Sequence, residues 1–162
     1  NKWLVKYAKK KYGVNIKTLN FFDIRKEFDV VCLFDVLEHI PDLNLTIKKI
    51  SKLIKKKGYL VINVPDHDSL ARKILKRNWP FYLSVHLHYF DKISINKLLK
   101  KEYKLIYSRP HWQSLELYYV LERASYYFKI FKYIKKLIIF LNLDKISIKY
   151  NVGQTLFIFK KR

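Results

Sequence analysis

Glycine is scarce in this chain: Gly13, Gly58 and Gly153 are the only three among 162 residues. Methionine is absent and the first residue is Asn, so the chain reads as a piece of a longer protein. A single cysteine, Cys32, excludes a disulfide framework and cysteine-based metal spacing. It lies inside an apolar run, where a small buried hydrophobe is expected. Long apolar runs are missing as well. The densest patch, residues 137–141, is far too short to cross a bilayer. The opening NKWLVKYAKKKYG lacks the continuous apolar core of a secretory signal, so a cytoplasmic location is expected. Acidic residues are few: 13 against 34 Lys and Arg, for a formal charge of +21. Such a charge reads as a footprint for nucleic acid or anionic lipid, or as a lysine-rich solvated surface. The lysines fall on outer helix faces and are not interleaved with Arg and aromatics. The solvated surface is the favoured reading, and a nucleic-acid partner is not expected.

What is present is enough for one domain with a real core: half the residues are apolar and 17% are aromatic. Residues 28–66 carry the most information. An apolar run, FDVVCLF, leads into Asp35, Glu38 and His39. A Lys-rich segment follows, with Leu43, Ile47, Ile50 and Ile54 at helical spacing and Gly58 as the expected stop. A second apolar run, YLVINV, ends at Pro65-Asp66. This is a strand–loop–helix–strand unit, with both strands expected to be buried on both faces of a parallel sheet. Its polar residues gather at the carboxyl end of the first strand, where open α/β sheets bind ligands.

Elsewhere, residues 3–12 predict an amphipathic helix closed by Gly13, and 14–21 alternate as a strand does. Asp68 or Ser69 can cap a helix carrying Leu70, Ile74 and Leu75. Ser94 is expected to cap another helix, through Leu99. Residues 103–108 read as a weak strand, and TLFIFK after Gly153 as the last one. Between them, 115–141 read as a long helical stretch with lysines on one face, within an insertion at about 115–143.

The order and wording of these segments resemble the class I S-adenosylmethionine (SAM) dependent methyltransferases, in the branch with a D-V-L-E-H signature after the fourth strand. FDVVCLFDVLEHIPD matches that strand and loop, and LIKKKGYLVINVPD matches the fifth strand, with Lys57 replacing a family glycine. HLHYFDKISINKLLK and GQTLFIFKK resemble the family's later segments, and NKWLVKYAKKKYGVNI and KTLNFFD its second helix and third strand. The glycine-rich cofactor loop and the acidic residue ending the second strand have no counterpart here. The resemblance therefore implies a partial Rossmann-like α/β domain over residues 1–162, missing its first two strands. The sheet is mostly parallel with an antiparallel C-terminal strand, its core formed by the fourth, fifth, seventh and sixth strands side by side. This segment alone is expected to bind SAM poorly and to be inactive.

The resemblance also implies roles. Asn20, Phe21, Leu33, Phe34 and Asp35 would line the cofactor. Glu38 and His39 would stand where cofactor and acceptor meet, His39 as a base for a hydroxyl. The same pair reads equally as a tether for the following helix. Some relatives with an E-x-x-E-H variant hold a divalent metal there, to which His86 or His88 could add a ligand; no metal is assigned. Trp79, His86, His88 and Tyr89 would face a small-molecule or sugar acceptor. The insertion reads as a cap over the acceptor site or a dimer interface, with peripheral membrane contact as the other possibility. A different class of function fits the charge: a non-catalytic basic module of this fold that binds RNA or an anionic membrane.

Overall fold

The computed structural model describes residues 2–162. Helix α1 (Lys2–Tyr12) ends at Gly13, whose φ of +64° and N–H bond to the Lys9 carbonyl close the last turn. Residues 14–19 form no strand, contrary to the alternation of their sequence. A lone extended segment leaves its backbone groups unpaired, and here no ladder receives it. Strand β1 (Phe28–Phe34) follows, then α2 (Leu43–Leu53), capped by the Asp42 carboxylate on the Leu45 N–H. Strand β2 (Ile54–Pro65) starts directly at the helix end. Gly58 is therefore not the helix stop. It lies within β2, where a Cβ would come within 2.8 Å of the Asp29 carbonyl oxygen. The left-handed residue is Lys57, at φ +65°. That explains why a glycine suits this position, and why the ladder between β1 and β2 slips beside it.

Helices α3 (Leu70–Leu75) and α4 (Lys92–Leu99) come next. Ser69 caps α3, whereas α4 is capped by Asp91, with Ser94 closing a capping box from inside the helix. Strand β3 (Tyr103–Pro110) is followed by a short β4 (Gln113–Glu116). The stretch expected as one helix is two, α5 (Leu117–Tyr127) and α6 (Ile130–Phe140), because Phe128 adopts extended backbone. Strand β5 (Ser147–Tyr150) pairs with β4 beneath this hairpin, a ladder the sequence pattern did not disclose. Strand β6 (Gln154–Lys161) completes the main sheet, whose order is β1-β2-β6-β3. β1 and β2 pair in parallel, and β6 runs antiparallel between β2 and β3. Three of the four strands share a direction, so the expected order and the expected antiparallel last strand are both present.

The core lies on one side of this sheet. Leu60, Ile62, Val64, Phe157 and Phe159 pack against Ile47 and Ile50 of α2 and Ile95 and Leu99 of α4. The opposite side stays open: Val30, Cys32 and Phe34 are exposed and Val61 half-buried. Cys32 is thus not a buried hydrophobe, and the first two strands are buried on one face only. Burial on both faces needs helices on both, and α1 contributes no buried residue.

Tyr103 begins β3 fully buried, and its hydroxyl has no hydrogen-bond partner. Burial pushes its pKa up to about 12; Ser51 nearby offsets this slightly without forming a bond. The folded state thus holds the phenol proton more tightly than the unfolded chain, which releases it near pH ~10. Stability is therefore expected to be retained below that pH. It should fall by roughly 1.4 kcal/mol per pH unit as pH rises toward the folded value. Denaturant titrations of Tyr103→Phe should show this alkaline loss removed and the neutral-pH stability equal or higher.

Candidate active site

The β1 strand delivers its last residues to the carboxyl end of the parallel pair. Asp35 follows at φ +52°, donating its N–H to the Asn63 carbonyl. This left-handed turn swings the chain off the sheet. The Asp35 carboxylate accepts from Asn63 Nδ2 at 3.3 Å and Gln154 Nε2 at 2.5 Å. Gln154 in turn accepts from Gln113 Nε2 at 2.6 Å, and the Tyr150 hydroxyl donates to Gln113. Asp35 thus anchors a polar chain running to the base of the α5–α6 hairpin. Both bonds are made by Oδ1, the residue itself is exposed, and Asp35 is not among the residues whose ligand atoms converge with those of Glu38 and His39.

A short turn over Leu37–His39 comes next, and residues 79–90 are stapled against it. The Leu87 and His88 N–H groups donate to the Glu38 carbonyl at 2.9 and 3.2 Å. His88 Nε2 donates to the Ile40 carbonyl at 3.0 Å, so its ring serves the staple. His39 Nδ1 lies 2.9 Å from the Val85 carbonyl, and His86 Nδ1 lies 2.8 Å from the Phe81 carbonyl. A carbonyl only accepts, so both imidazoles carry a proton on Nδ1, which leaves Nε2 as the lone-pair nitrogen of the neutral ring. The two rings meet edge to face at 4.7 Å.

Glu38 completes the cluster. It is 1% exposed, and neither carboxylate oxygen has a hydrogen-bond partner. Burial raises its pKa, and the nearby Asp35 charge adds to this. Burial also lowers the His86 pKa, which favours its neutral form. Donor atoms of Glu38, His39 and His86 all lie within 4.8 Å of one another. One unpartnered carboxylate and two imidazoles fixed by backbone carbonyls suit two tasks: moving a proton and holding a divalent ion.

The remaining expected residues are more dispersed. Phe34 is 53% exposed at the strand end, an uncovered aromatic face beside the cluster's loop. Leu33 and Phe21 pack against the core. Asn20 accepts from the Phe22 N–H at 3.2 Å, as a turn residue does. Trp79 is buried, donating from Nε1 to the Val152 carbonyl at 2.7 Å, so it holds the loop and lines no surface. Tyr89 packs among Trp79, Tyr82 and His86. Two shallow depressions of about 300 Å³ each lie beside α2 and not at these strand ends.

His67 follows directly after β2 and Asp66. It sits among the rings of Trp79, Tyr82 and Tyr89, 3.1 Å from the Tyr82 hydroxyl.

Residues 6–102, well over half of the chain, match the model of a family described as a methyltransferase domain. No curated protein sequence matches the chain. In fold it is similar to TehB from Haemophilus influenzae, at 13% identity and a TM-score of 0.52, covering 99% of this chain and 46% of that one. A SAM-dependent methyltransferase from Thermotoga maritima, described as a possible histamine N-methyltransferase, gives 15% identity and a TM-score of 0.57, covering 99% and 69%. Magnesium protoporphyrin IX methyltransferase from Synechocystis PCC 6803, with bound S-adenosylhomocysteine (SAH), gives 14% and 0.52, covering 98% and 57%. At these identities the likeness is one of fold, and the chain spans about half to two thirds of these proteins. The family match and the likeness in fold lead to one conclusion: this chain belongs to the methyltransferase-domain family and has the class I SAM-dependent methyltransferase fold.

Proposed function

We propose that this chain is the acceptor-side part of a SAM-dependent methyltransferase acting on a hydroxyl of a small molecule or sugar. The observation that carries this reading is the cluster of Glu38, His39 and His86 pinned beside the end of β1. The cofactor supplies a methyl group on a sulfonium, ready for in-line attack. The residues fit part of it. The open ring of Phe34 suits a nearby cation. Asn20 and Phe21 would border the adenine. A glycine-rich cradle for the methionine end has no candidate among Gly13, Gly58 and Gly153.

The chain's own residues would do the rest. His39 Nε2, the free ring nitrogen, accepts the acceptor's hydroxyl proton. Glu38 holds an unpaired carboxylate close enough to stabilise the imidazolium that forms. His86, kept neutral, orients the hydroxyl. Most of the rate would come from holding the acceptor oxygen in line and excluding water. Residues 81–90 form the wall that does this.

Isothermal titration with SAH tests the reading. Residues 1–162 should bind at millimolar affinity or weaker. The product of the gene's full reading frame should bind at least about a hundredfold tighter, a gain of roughly 2.7 kcal/mol. No heat from the full product at millimolar SAH counts decisively against it.

A further inference from the structure

Helix α6 carries an apolar stripe that the rest of the chain leaves uncovered. Ile130, Tyr133, Leu137, Phe140 and Leu141 follow helical spacing along one side and are between 49% and 80% exposed. The other side, with Phe131 and Ile138, is half-buried in the hairpin with α5. Exposed Lys129, Lys132 and Lys136 border the stripe, and α6 contains no acidic residue. Tyr126, Tyr127 and Phe128, at the turn into α6, add three more exposed rings. The helix has 11 residues, about 16 Å in length, against a hydrocarbon core of about 30 Å. No helix among the described residues is long and apolar enough to cross a membrane.

We propose that the α5–α6 hairpin docks on the surface of an anionic lipid bilayer, with α6 lying in the interfacial plane. An aromatic and aliphatic stripe bordered by lysines is the pattern that seats a helix among headgroups. Charge selects this occupant over a second copy of the chain. Stripe-to-stripe pairing would bring two wholly basic α6 edges together on molecules of formal charge +21. An anionic leaflet neutralises the same lysines. The docking is independent of the methyl-transfer reading. The Tyr150–Gln113–Gln154–Asp35 chain of hydrogen bonds ties the hairpin's base to the strand ends. Docking would therefore hold the candidate active site at a set distance from the bilayer.

Vesicle co-sedimentation of the full chain tests this, using phosphatidylcholine alone or with about 30% phosphatidylglycerol, at low and high salt. Partition into the anionic vesicles at low salt is expected, with weak partition into neutral ones. The double variant Leu137→Asp, Phe140→Asp should partition at least about tenfold less. Both sites are exposed, so the fold is retained, as circular dichroism would verify. Ile93→Asp, at an equally exposed site on α4, should change partition far less. Equal partition into neutral vesicles, none into anionic ones, or an undiminished double variant overturns the proposal. So does a concentration-dependent dimer in sedimentation velocity that the double variant abolishes.

Discussion

His39→Ala is expected to lower methyl transfer by the full gene product about 10²- to 10⁴-fold, the usual worth of a positioned general base. The ring is held through Nδ1 by the Val85 carbonyl, so Nε2 alone is free to take a proton. Deleting the ring also removes one hydrogen bond to the loop, about 0.5–1.5 kcal/mol, too little to unfold the domain. Turnover should therefore fall while SAH affinity, read by titration, changes little. An equal loss of SAH affinity would mean that His39 only tethers the loop. Exhaustive chelation separates the two tasks open to the cluster. Activity that survives chelation supports proton transfer through His39. Activity lost to chelation and restored by Mn²⁺ assigns Glu38, His39 and His86 to an ion.

Gly153→Ala should be strongly destabilising. Gly153 holds φ +100°, a conformation that costs an L-residue about 1–3 kcal/mol. Its added Cβ would clash with Ser69 Oγ and stand 2.9 Å from Trp79 Nε1. Those atoms belong to the α3 cap and to the Trp79–Val152 hydrogen bond, and neither can withdraw freely. Crowding adds about 1–3 kcal/mol, for a total near 2–6 kcal/mol and a melting point roughly 4–24 °C lower. A thermal melt of Gly153→Ala beside wild type measures this. A loss below about 1 kcal/mol would show that the 151–153 loop yields, and that the indole is not pinned as described.

Local pattern carried much of the architecture. The apolar runs at 28–34 and 59–64 enclose a segment of helical spacing, and that succession alone requires a parallel pair with a helical crossover. The D-V-L-E-H wording set Glu38 and His39 just past the first strand, where the Leu37–His39 turn lies. Local pattern failed where a neighbour distant in sequence decides. Residues 14–21 alternate correctly but meet no partner ladder. The FDVVCLF run is apolar enough for burial on two faces, yet helices cover only one. The bond from Gln154 to Asp35, across 119 positions, has no signal in local pattern.

Alternation, helical spacing and caps are interactions between residues a few positions apart, so they are written in the order of residues. The pairing of Glu38 and His39 with His86, the Asp35–Gln154 bond and the uncovered stripe on α6 depend on which surfaces meet. Burial and hydrogen bonding between distant segments decide that, and only the folded chain brings them together.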